Sequence, residues 1–334
     1  MLKMYKKTIS SNNQNTYKFA LGLAIIQTTE KDPMLSYQQI GEKIAEYYFK
    51  NHFRFKIRET NNPDLVPGVV TLLENYAKKD AGLREASRLT KGLRVNLARL
   101  LVSPESGISK SFFAYVLPCW EGAKRNEHGY YEYPKRGENN FFSYDGETQK
   151  IILTETFHQC IMENRDLLVD LTILEWVKFL EKFNTIPNLV SKLSPRRPVR
   201  RLKKMQTLFE NIPLLDHRRC FLCRKEITGG EFSIDHLIPF DYVYADDLWN
   251  LVPAHRTCNS SKGNRVGSEQ MIKALLERNF RLFRQGNDIP EGLKPAYHNL
   301  FRNLFRSEEE IENLVTSTAS ACKNAGFSQL EDYY

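Results

Sequence analysis

The chain has 334 residues, of which 41% are hydrophobic and 12% aromatic, a composition that excludes a disordered protein and suffices for two domains, or for one large core with an appended module. The formal net charge of +8 favours a polyanionic partner. No apolar run approaches the roughly 20 residues of a membrane span, and residues 19–26, the longest candidate, follow a polar start without a cleavage site, so we expect a cytoplasmic protein with no membrane contact.

The N-terminal part of the sequence has the hydrophobic spacing of helices. Helices are predicted over residues 15–29, 36–57, 65–79 and 87–102. Ser36 and Gln39 form a capping-box pattern at the start of the second of these. The basic residues of the last helix are able to meet phosphates, but a charge series on a helix is more commonly a solvated face.

Strand signals follow these helices. Residues 112–116 form a β-like run, and residues 141–144 and 150–153 flank Asp145-Gly146, a dipeptide typical of hairpin turns. Helices resume at about residue 155, and a helix rich in Leu is predicted over residues 166–183. A small sheet inside a mainly helical region is the expected result.

The basic excess of the chain lies in one segment. Residues 191–225 contain eleven Lys or Arg against two acids, a net of +9, so the rest of the chain sums to −1. Neutralised phosphates supply affinity without sequence information, and this segment therefore predicts a nucleic-acid contact. The residues assigned to it are Arg196, Arg197, Arg200, Arg201, Lys203, Lys204, Arg218 and Arg219, with Arg265 from further along the chain. A merely solubilising basic strip is the alternative.

Two pairs of metal-type ligands follow. Cys220 and Cys223 form C-x2-C, and His255 and Cys258 form H-x2-C. Two-residue spacing lets both side chains of a tight turn point at one ion, so the two pairs complete a tetrahedral Zn²⁺ site. Two buried thiols beside an unrelated histidine are the less favoured alternative, because the polar and Gly residues between the pairs are poor core material. The remaining cysteines, expected to be free, are Cys119, Cys160 and Cys322.

Between the two pairs the order strand, strand, helix is predicted, over residues 231–239, 248–253 and 258–263. A histidine titrates near neutrality, so His236 at the end of the first strand suits a general base. Asp235 and Asn259 offer oxygen ligands that suit Mg²⁺ or Mn²⁺. An isolated Asp-His pair is more commonly part of a satisfied turn, but here it falls between two ligand pairs.

The stretch from Cys220 to Arg265 resembles the HNH endonucleases, whose ββα-metal fold carries the consensus C-x2-C, D-H-x-x-P, N-L-V and C-x2-C-N-x-x-K-G. The matching residues are Cys220, Cys223, Asp235, His236, Pro239, Asn250, Leu251, Val252, Cys258, Asn259, Lys262 and Gly263. The sequence departs from the family at His255, where Cys is usual, and at Asn259, where the founding members have His. His is a good zinc ligand, and Asn is common at the last position.

The resemblance implies a DNA endonuclease that leaves 5′-phosphate and 3′-hydroxyl ends. It implies His236 as general base, Asp235 and Asn259 as ligands of a catalytic Mg²⁺ or Mn²⁺, and structural Zn²⁺ in the Cys/His site. Asn250 would fix the loop that carries the base, and Lys262 would hold phosphate oxygens. The order of elements is also similar to bacterial HNH proteins found near restriction or antiviral defence genes, which implies a defence role.

Other functional readings stay open at this point. Because one ββα centre cuts one strand, a homodimer is a hypothesis for double-strand cleavage. A nuclease subunit that is inactive without a partner ATPase or sensor is one alternative to an autonomous enzyme. A zinc-stapled DNA-binding module without cleavage is the other.

The C-terminal part is predicted to be helical, over residues 268–285 and 307–323, the second with a Ser307/Glu310 capping box. The predicted fold class is α+β: a mainly helical N-terminal region with a small hairpin, the ββα module, and C-terminal helices. The predicted domains are 1–190, for substrate or partner binding, 191–266, with the basic lead-in and the nuclease module, and 267–334, a helical extension.

Overall fold

A computed structural model gives the fold of the whole chain except residues 12, 14, 81, 87, 104–115, 118–119, 121–123, 126–130, 133–140, 146, 197–201, 229–231, 287–288 and 332–334. The helices of the described part are α1 (Leu2–Ser10), α2 (Tyr17–Thr28), α3 (Tyr37–Phe49), α4 (Gly68–Ala77), α5 (Gly82–Glu85), α6 (Lys91–Val102), α7 (Glu155–Leu180), α8 (Leu189–Leu193), α9 (Leu202–Asn211), α10 (Phe240–Val243), α11 (Arg256–Lys262), α12 (Glu269–Arg284), α13 (Lys294–Leu300) and α14 (Glu308–Asn324). The strands are β1 (Met34–Ser36), β2 (Lys124–Arg125), β3 (Tyr131–Glu132), β4 (Phe142–Asp145), β5 (Lys150–Leu153), β6 (Ser233–His236) and β7 (Leu251–Ala254).

Helices predominate and the sheets are small and antiparallel, which confirms the predicted α+β class. The chain divides into two compact units, Met1–Asn184 with Lys192–Pro195, and Thr185–Ser191 with Arg196–Tyr334. The C-terminal helices thus belong to the same unit as the Cys/His segment. Of the helices in the described part, none has both the length and the apolar character needed to span a bilayer.

The first unit is built around α2, whose residues from Tyr17 to Ile26 are all buried. A helix that is hydrophobic on every side must be covered on every side, and α3 and α7 both pack against it. Phe19 of α2 stacks on Trp176 of α7 with ring centroids 6.0 Å apart. Each fully buried aromatic side chain contributes about 2–3 kcal/mol, so this contact is a major part of the core.

The predicted hairpin is confirmed by the pairing of β4 with β5, in which Asp145 lies opposite Lys150. Strand β1 was not predicted from the sequence; it has three residues and pairs antiparallel with the other edge of β5. Of the β-like run predicted over residues 112–116, residues 112–115 lie outside the described part, and Val116 is buried and helical. The sheet closes over the helical core of the first unit.

Two helices differ from their predicted extents. The capping box at Ser36 and Gln39 is confirmed, but α3 ends at Phe49 and continues as a π-helical turn over Lys50–Arg54. The two helices expected after residue 155 are one, α7, with non-helical dihedral angles at Asn164. The Asn164 side chain donates to Cys160 O at 3.2 Å, and such side-chain bonding to the backbone competes with the helical ladder.

The second unit holds the strand, strand, helix order that the sequence predicts. Strands β6 and β7 are antiparallel, with Ser233 opposite Ala254 and His236 opposite Leu251, and α11 follows β7 directly. Both strands are shorter than predicted. Beyond His236 the ladder stops because the side chain of Asn250, rather than a strand partner, binds the backbone of Ile238.

The segment after α11 passes close to the end of β6. Gly267 N donates to Leu237 O at 3.0 Å, and a Cβ at this position would lie 2.6 Å from a side-chain carbon of Leu237. Only glycine permits such an approach. Val266 also forms backbone bonds to Ser328 and Leu330, so the C-terminal tail is tied to the same point.

Candidate metal centre and active site

The four predicted zinc ligands come together in space. One ligand atom from each of Cys220, Cys223, His255 and Cys258 lies within 4.8 Å of all the others. His255 Nδ1 is 3.4 Å from Cys223 Sγ and 3.7 Å from Cys258 Sγ. Zn–S and Zn–N bonds of about 2.3 and 2.0 Å in a tetrahedron place S and N about 3.6 Å apart, so the cluster has the size that Zn²⁺ requires.

The orientation of His255 is fixed from its far side. Its Nε2 lies 3.1 Å from Glu226 O, so donation to that carbonyl leaves Nδ1 unprotonated and directed at the thiols. Metal-binding histidines commonly have such an outer partner. The backbone holds the rest of the turn, with Cys220 N donating to Lys225 O and Arg224 N to Cys220 O, both at 2.9 Å.

Without a cation beside them, the three thiols cannot all be deprotonated. Burial raises the pKa of Cys258 to about 12, and its contacts with Cys223 and Cys220 add to the rise. Burial acts in the same direction on Cys223, but a backbone hydrogen bond from Lys225 and the bonds from the other thiols outweigh it, and the pKa of Cys223 is lowered. Neighbouring thiolates repel each other, and a divalent cation is the group that would balance them.

A second group of polar side chains lies between β6 and α11. Ser233 and Asp235 share one face of the strand because side chains alternate along it, and Asn259 and Lys262 lie nearly one turn apart on the helix. Asn259 Nδ2 donates to Ser233 Oγ at 2.8 Å. Lys262 Nζ lies 3.2 Å from Asp235 Oδ2. The strand and the helix therefore place Asp235 and Asn259 on the same side of the module.

Asp235 and Lys262 are a buried ion pair, with only 6% and 2% of their surfaces exposed. Burial raises the pKa of Asp235, and the ammonium of Lys262 opposes that rise. Burial lowers the pKa of Lys262, and the carboxylate of Asp235 opposes that fall. Lys262 also donates to His236 O at 2.7 Å. Its ammonium is thus held inside the module, and its expected contact with phosphate stays a prediction.

His236 has a neighbour that the sequence analysis did not identify. Asp246 Oδ1 lies 3.1 Å from His236 Nε2, and both side chains are buried. The contact has the distance of an ion pair, although its angles are not those of a hydrogen bond. The ring of Phe240 meets the imidazole edge to face, with centroids 5.1 Å apart. For this contact the sequence offered no signal beyond the presence of a carboxylate, Asp246, shortly before Asn250.

Asn250 is fully buried and holds the turn that follows His236. Its Oδ1 accepts from Ile238 N and its Nδ2 donates to Ile238 O, both at 2.8 Å. Its own carbonyl accepts from Leu237 N at 3.0 Å. Three bonds from one residue fix the backbone immediately after the imidazole.

A residue outside the motif supports this turn from α12. Arg278 is 4% exposed, and its guanidinium donates to the carbonyls of Leu248, Trp249 and Leu251. Burial lowers the pKa of Arg278 to about 9, so it is still charged at neutral pH. Helix α12 thereby holds the backbone on both sides of Asn250. No local sequence pattern indicates this contact.

The predicted nucleic-acid contacts are only partly described. Arg197, Arg200 and Arg201 lie outside the described residues, and Lys203 and Lys204 are on α9 without described side chains. Of the predicted contacts whose side chains are described, Arg196, Arg218 and Arg219 are exposed. Arg265 is half-buried and donates to Ser261 O at 2.5 Å and Lys262 O at 3.0 Å, so it caps the end of α11.

A two-stranded antiparallel ribbon, a following helix and a Cys₃His cluster that could hold a metal ion define a ββα module. Residues 222–268 match the family model described as HNH endonuclease, and the chain therefore carries an HNH endonuclease domain. A comparison with curated proteins gives no match, and a comparison with solved structures gives none.

Proposed function

We propose that this protein is a metal-dependent endonuclease that hydrolyses the phosphodiester bonds of DNA, with 5′-phosphate and 3′-hydroxyl products. The observation that carries the proposal is that one module holds a buried imidazole, His236, and two oxygen donors, Asp235 on the same strand and Asn259 on the helix that follows. The match of this segment to the HNH endonuclease family supports it. A purely structural zinc module needs none of these three side chains.

The donor sets suit two kinds of metal ion. Three thiols and one imidazole are soft ligands that select Zn²⁺, and the tetrahedral spacing fits a closed, structural site. Asp235 Oδ2 is buried and lies 3.2 Å from the Lys262 ammonium without a hydrogen bond of regular geometry. Together with Asn259 it offers hard oxygens that suit Mg²⁺ or Mn²⁺. Such an ion supplies charge stabilisation at the phosphate and the leaving oxygen.

The side chains of the chain itself would prepare the attacking water. His236 is the proposed general base, because imidazole accepts a proton near neutral pH. Asp246 faces Nε2 and would favour the tautomer with its proton there, which leaves Nδ1 to accept the proton of water. Lys262 binds the carbonyl of His236, and Asn250 binds the backbone of the next two residues. Their proposed roles are therefore in positioning the base.

The proposed substrate is double-stranded DNA, bound through the basic residues that lead into the module. Phosphate contacts of this kind give affinity that falls with salt. A role in restriction or antiviral defence is part of the proposal and rests on the resemblance of the chain to bacterial HNH proteins. Homodimerisation and control by a partner ATPase or sensor stay predictions of the sequence.

The decisive experiment is a supercoiled-plasmid assay with added Mg²⁺ or Mn²⁺, with and without EDTA. The wild type should produce nicked or linear DNA only with the added ion. His236→Ala should lose at least about 100-fold in rate while keeping its zinc content and DNA binding, whereas His298→Ala, a change at an exposed histidine, should cleave normally. DNA binding without cleavage by the wild type would instead support the binding-module reading.

A further inference from the structure

A cavity of about 300 Å³ opens on the first unit, and all its lining residues belong to that unit. Its apolar floor is formed by Phe53 and Ile57, which are buried. Three cationic side chains line it: Lys56, Arg58 and Arg84. Pockets of this size accommodate small organic ligands, and cations above an apolar floor favour a ligand with a negatively charged group.

One carboxylate also lines the cavity, and its charge is already balanced. Glu74 Oε1 lies 2.6 Å from His52 Nε2, and Glu74 Oε2 is paired with the guanidinium of Arg84. With His52 neutral, the three cations and one carboxylate leave a net charge of +2. Lys56 and Arg58 supply that excess, which matches a dianion rather than a monoanion.

Lys56 is held in an unusual backbone conformation. Its φ of 56° lies in the left-handed region, which is unfavourable for a residue with a side chain. The π-helical turn Lys50–Arg54 comes just before it, and Ile57 N donates back to Asn51 O at 2.8 Å. Both π-helical turns and strained residues are frequent at ligand sites.

Lys56 is an exposed residue, and the protein atoms and charges around its ammonium shift its pKa. Burial lowers the pKa of Lys56, an effect that Glu74 opposes and Arg84 increases. A lysine in this situation is stabilised by an added anion, because the anion favours its charged form. The left-handed backbone conformation and the lowered pKa belong to the same residue.

Arg58 is pre-oriented by two neighbours. Asn184 Oδ1 accepts from Arg58 N at 2.9 Å, and Asn184 Nδ2 donates to Arg58 O at 3.0 Å. Its guanidinium carbon lies 4.8 Å from the centroid of the Phe183 ring. A guanidinium stacked on a ring keeps its N–H edge free for paired hydrogen bonds, the geometry that suits phosphate oxygens.

We propose that this cavity binds a phosphomonoester dianion, with Lys56 and Arg58 as its principal ligands. A phosphomonoester carries between one and two negative charges at neutral pH, whereas a backbone phosphodiester carries one. The group has two sources that share this chemistry, a free mononucleotide and the 5′-phosphorylated end of a DNA strand. The site is separate from the proposed cleavage chemistry, so a binding measurement tests it whether or not the protein cuts DNA.

The test is calorimetric titration of the full chain at constant ionic strength, without added divalent ions. We expect 2′-deoxyadenosine 5′-monophosphate to bind and 2′-deoxyadenosine not to bind. The double variant Lys56→Gln/Arg58→Gln should bind the nucleotide at least about tenfold more weakly. The double variant Lys78→Gln/Lys182→Gln, which removes the same charge from exposed positions of the same unit, should keep the wild-type affinity. Equal binding of nucleotide and nucleoside, or an unchanged affinity in the first variant, would overturn the proposal.

A short single-stranded oligonucleotide with and without a 5′-phosphate separates the two sources. Tighter binding of the phosphorylated strand, lost in Lys56→Gln/Arg58→Gln, supports the site with a strand end as ligand. Binding of the mononucleotide without any such preference supports it with the free nucleotide as ligand.

A measurement on the unsubstituted protein covers the case in which the double variant does not fold. Lysine side chains are acetylated with a limiting amount of reagent, and the peptides are quantified by mass spectrometry. Saturating nucleotide should reduce acetylation of Lys56 several-fold and leave that of Lys182 unchanged. Equal acetylation of Lys56 with and without nucleotide would refute the site.

Discussion

Asp246 places a carboxylate oxygen 3.1 Å from Nε2 of His236, within a part of the module where both side chains are almost fully buried. The two residues are ten positions apart in sequence, and the short helix α10 lies between them in the chain. A buried carboxylate in this position favours the imidazole tautomer that is protonated at the facing nitrogen. In the proposed mechanism the other nitrogen would be the base.

This relationship predicts the effect of Asp246→Asn. We expect the cleavage rate to fall about 10–100-fold with little change in DNA affinity, because an amide of the same size no longer favours the N–H at Nε2. Single-turnover cleavage and a DNA-binding titration measure the two quantities. Asp216→Asn, at an exposed position, is the control and should cleave normally. A normal rate in Asp246→Asn would show that the carboxylate does not orient His236.

Loss of one thiol should release the structural ion. Cys223→Ser is expected to lower the bound zinc from about one equivalent to near zero and to unfold the second unit, because metal binding supplies folding free energy in such small sites. Atomic absorption and a thermal melt report the two effects. Cys160→Ser, at a buried cysteine of the first unit, should keep the ion. A Cys223→Ser protein with full zinc content and an unchanged melt would contradict the assignment of the ligands.

Removal of the guanidinium of Arg278, on helix α12, should destabilise the turn around Asn250. Arg278→Met removes the guanidinium donor from three carbonyls, and although Leu248 O keeps the Leu251 N–H and Trp249 O keeps Asn279 Nδ2, Leu251 O loses its donor. The expected cost is about 2–4 kcal/mol in unfolding free energy. Urea denaturation of the second unit measures it. Arg281→Met, one turn along α12 and exposed, should change stability by less than about 0.5 kcal/mol. Similar losses in both variants would show that the buried contacts of Arg278 are not what stabilises this turn.

The first unit should lose stability as the pH rises from about 4.5 to about 7. Burial raises the pKa of Glu59 to about 7, although the hydrogen bond from Asn51 and the polar groups of Thr16 and Trp176 nearby oppose the rise. Below pH 4.5 the carboxyl is protonated in both folded and unfolded chains. Between pH 4.5 and about 7 the unfolded chain ionises first, so the folded state loses up to about 3 kcal/mol.

Glu59→Gln tests this pH dependence directly. The amide cannot ionise, so unfolding free energies of the variant measured at pH 5 and pH 8 should differ less than those of the wild type. Glu42→Gln, a change at a carboxylate that is less buried than Glu59, is the matched control and should keep the wild-type pH dependence. A wild-type stability that rises over this pH range would be opposite to the expectation.

Much of the fold and of the metal centre could be predicted because it depends on residues close in sequence. The two-residue spacing between Cys220 and Cys223, and between His255 and Cys258, is enough to predict each pair of ligands. The same holds for the capping box at Ser36, the hairpin at Asp145, and the strand, strand, helix order of the module. Local periodicity also located most of the helices, with errors at their ends, where side chains such as Asn164 compete with the backbone.

The sequence by itself determined the class of the module, its ligand pairs and the side chains that suit nuclease chemistry. Only the tertiary structure showed that Asp246 faces His236, that Arg278 holds the turn around Asn250, and that Arg84 lines one cavity with Lys56 and Arg58. The physical reason is that these contacts join segments that are distant in sequence or separated by a loop. Their geometry depends on how helices and strands pack, and no local spacing encodes it.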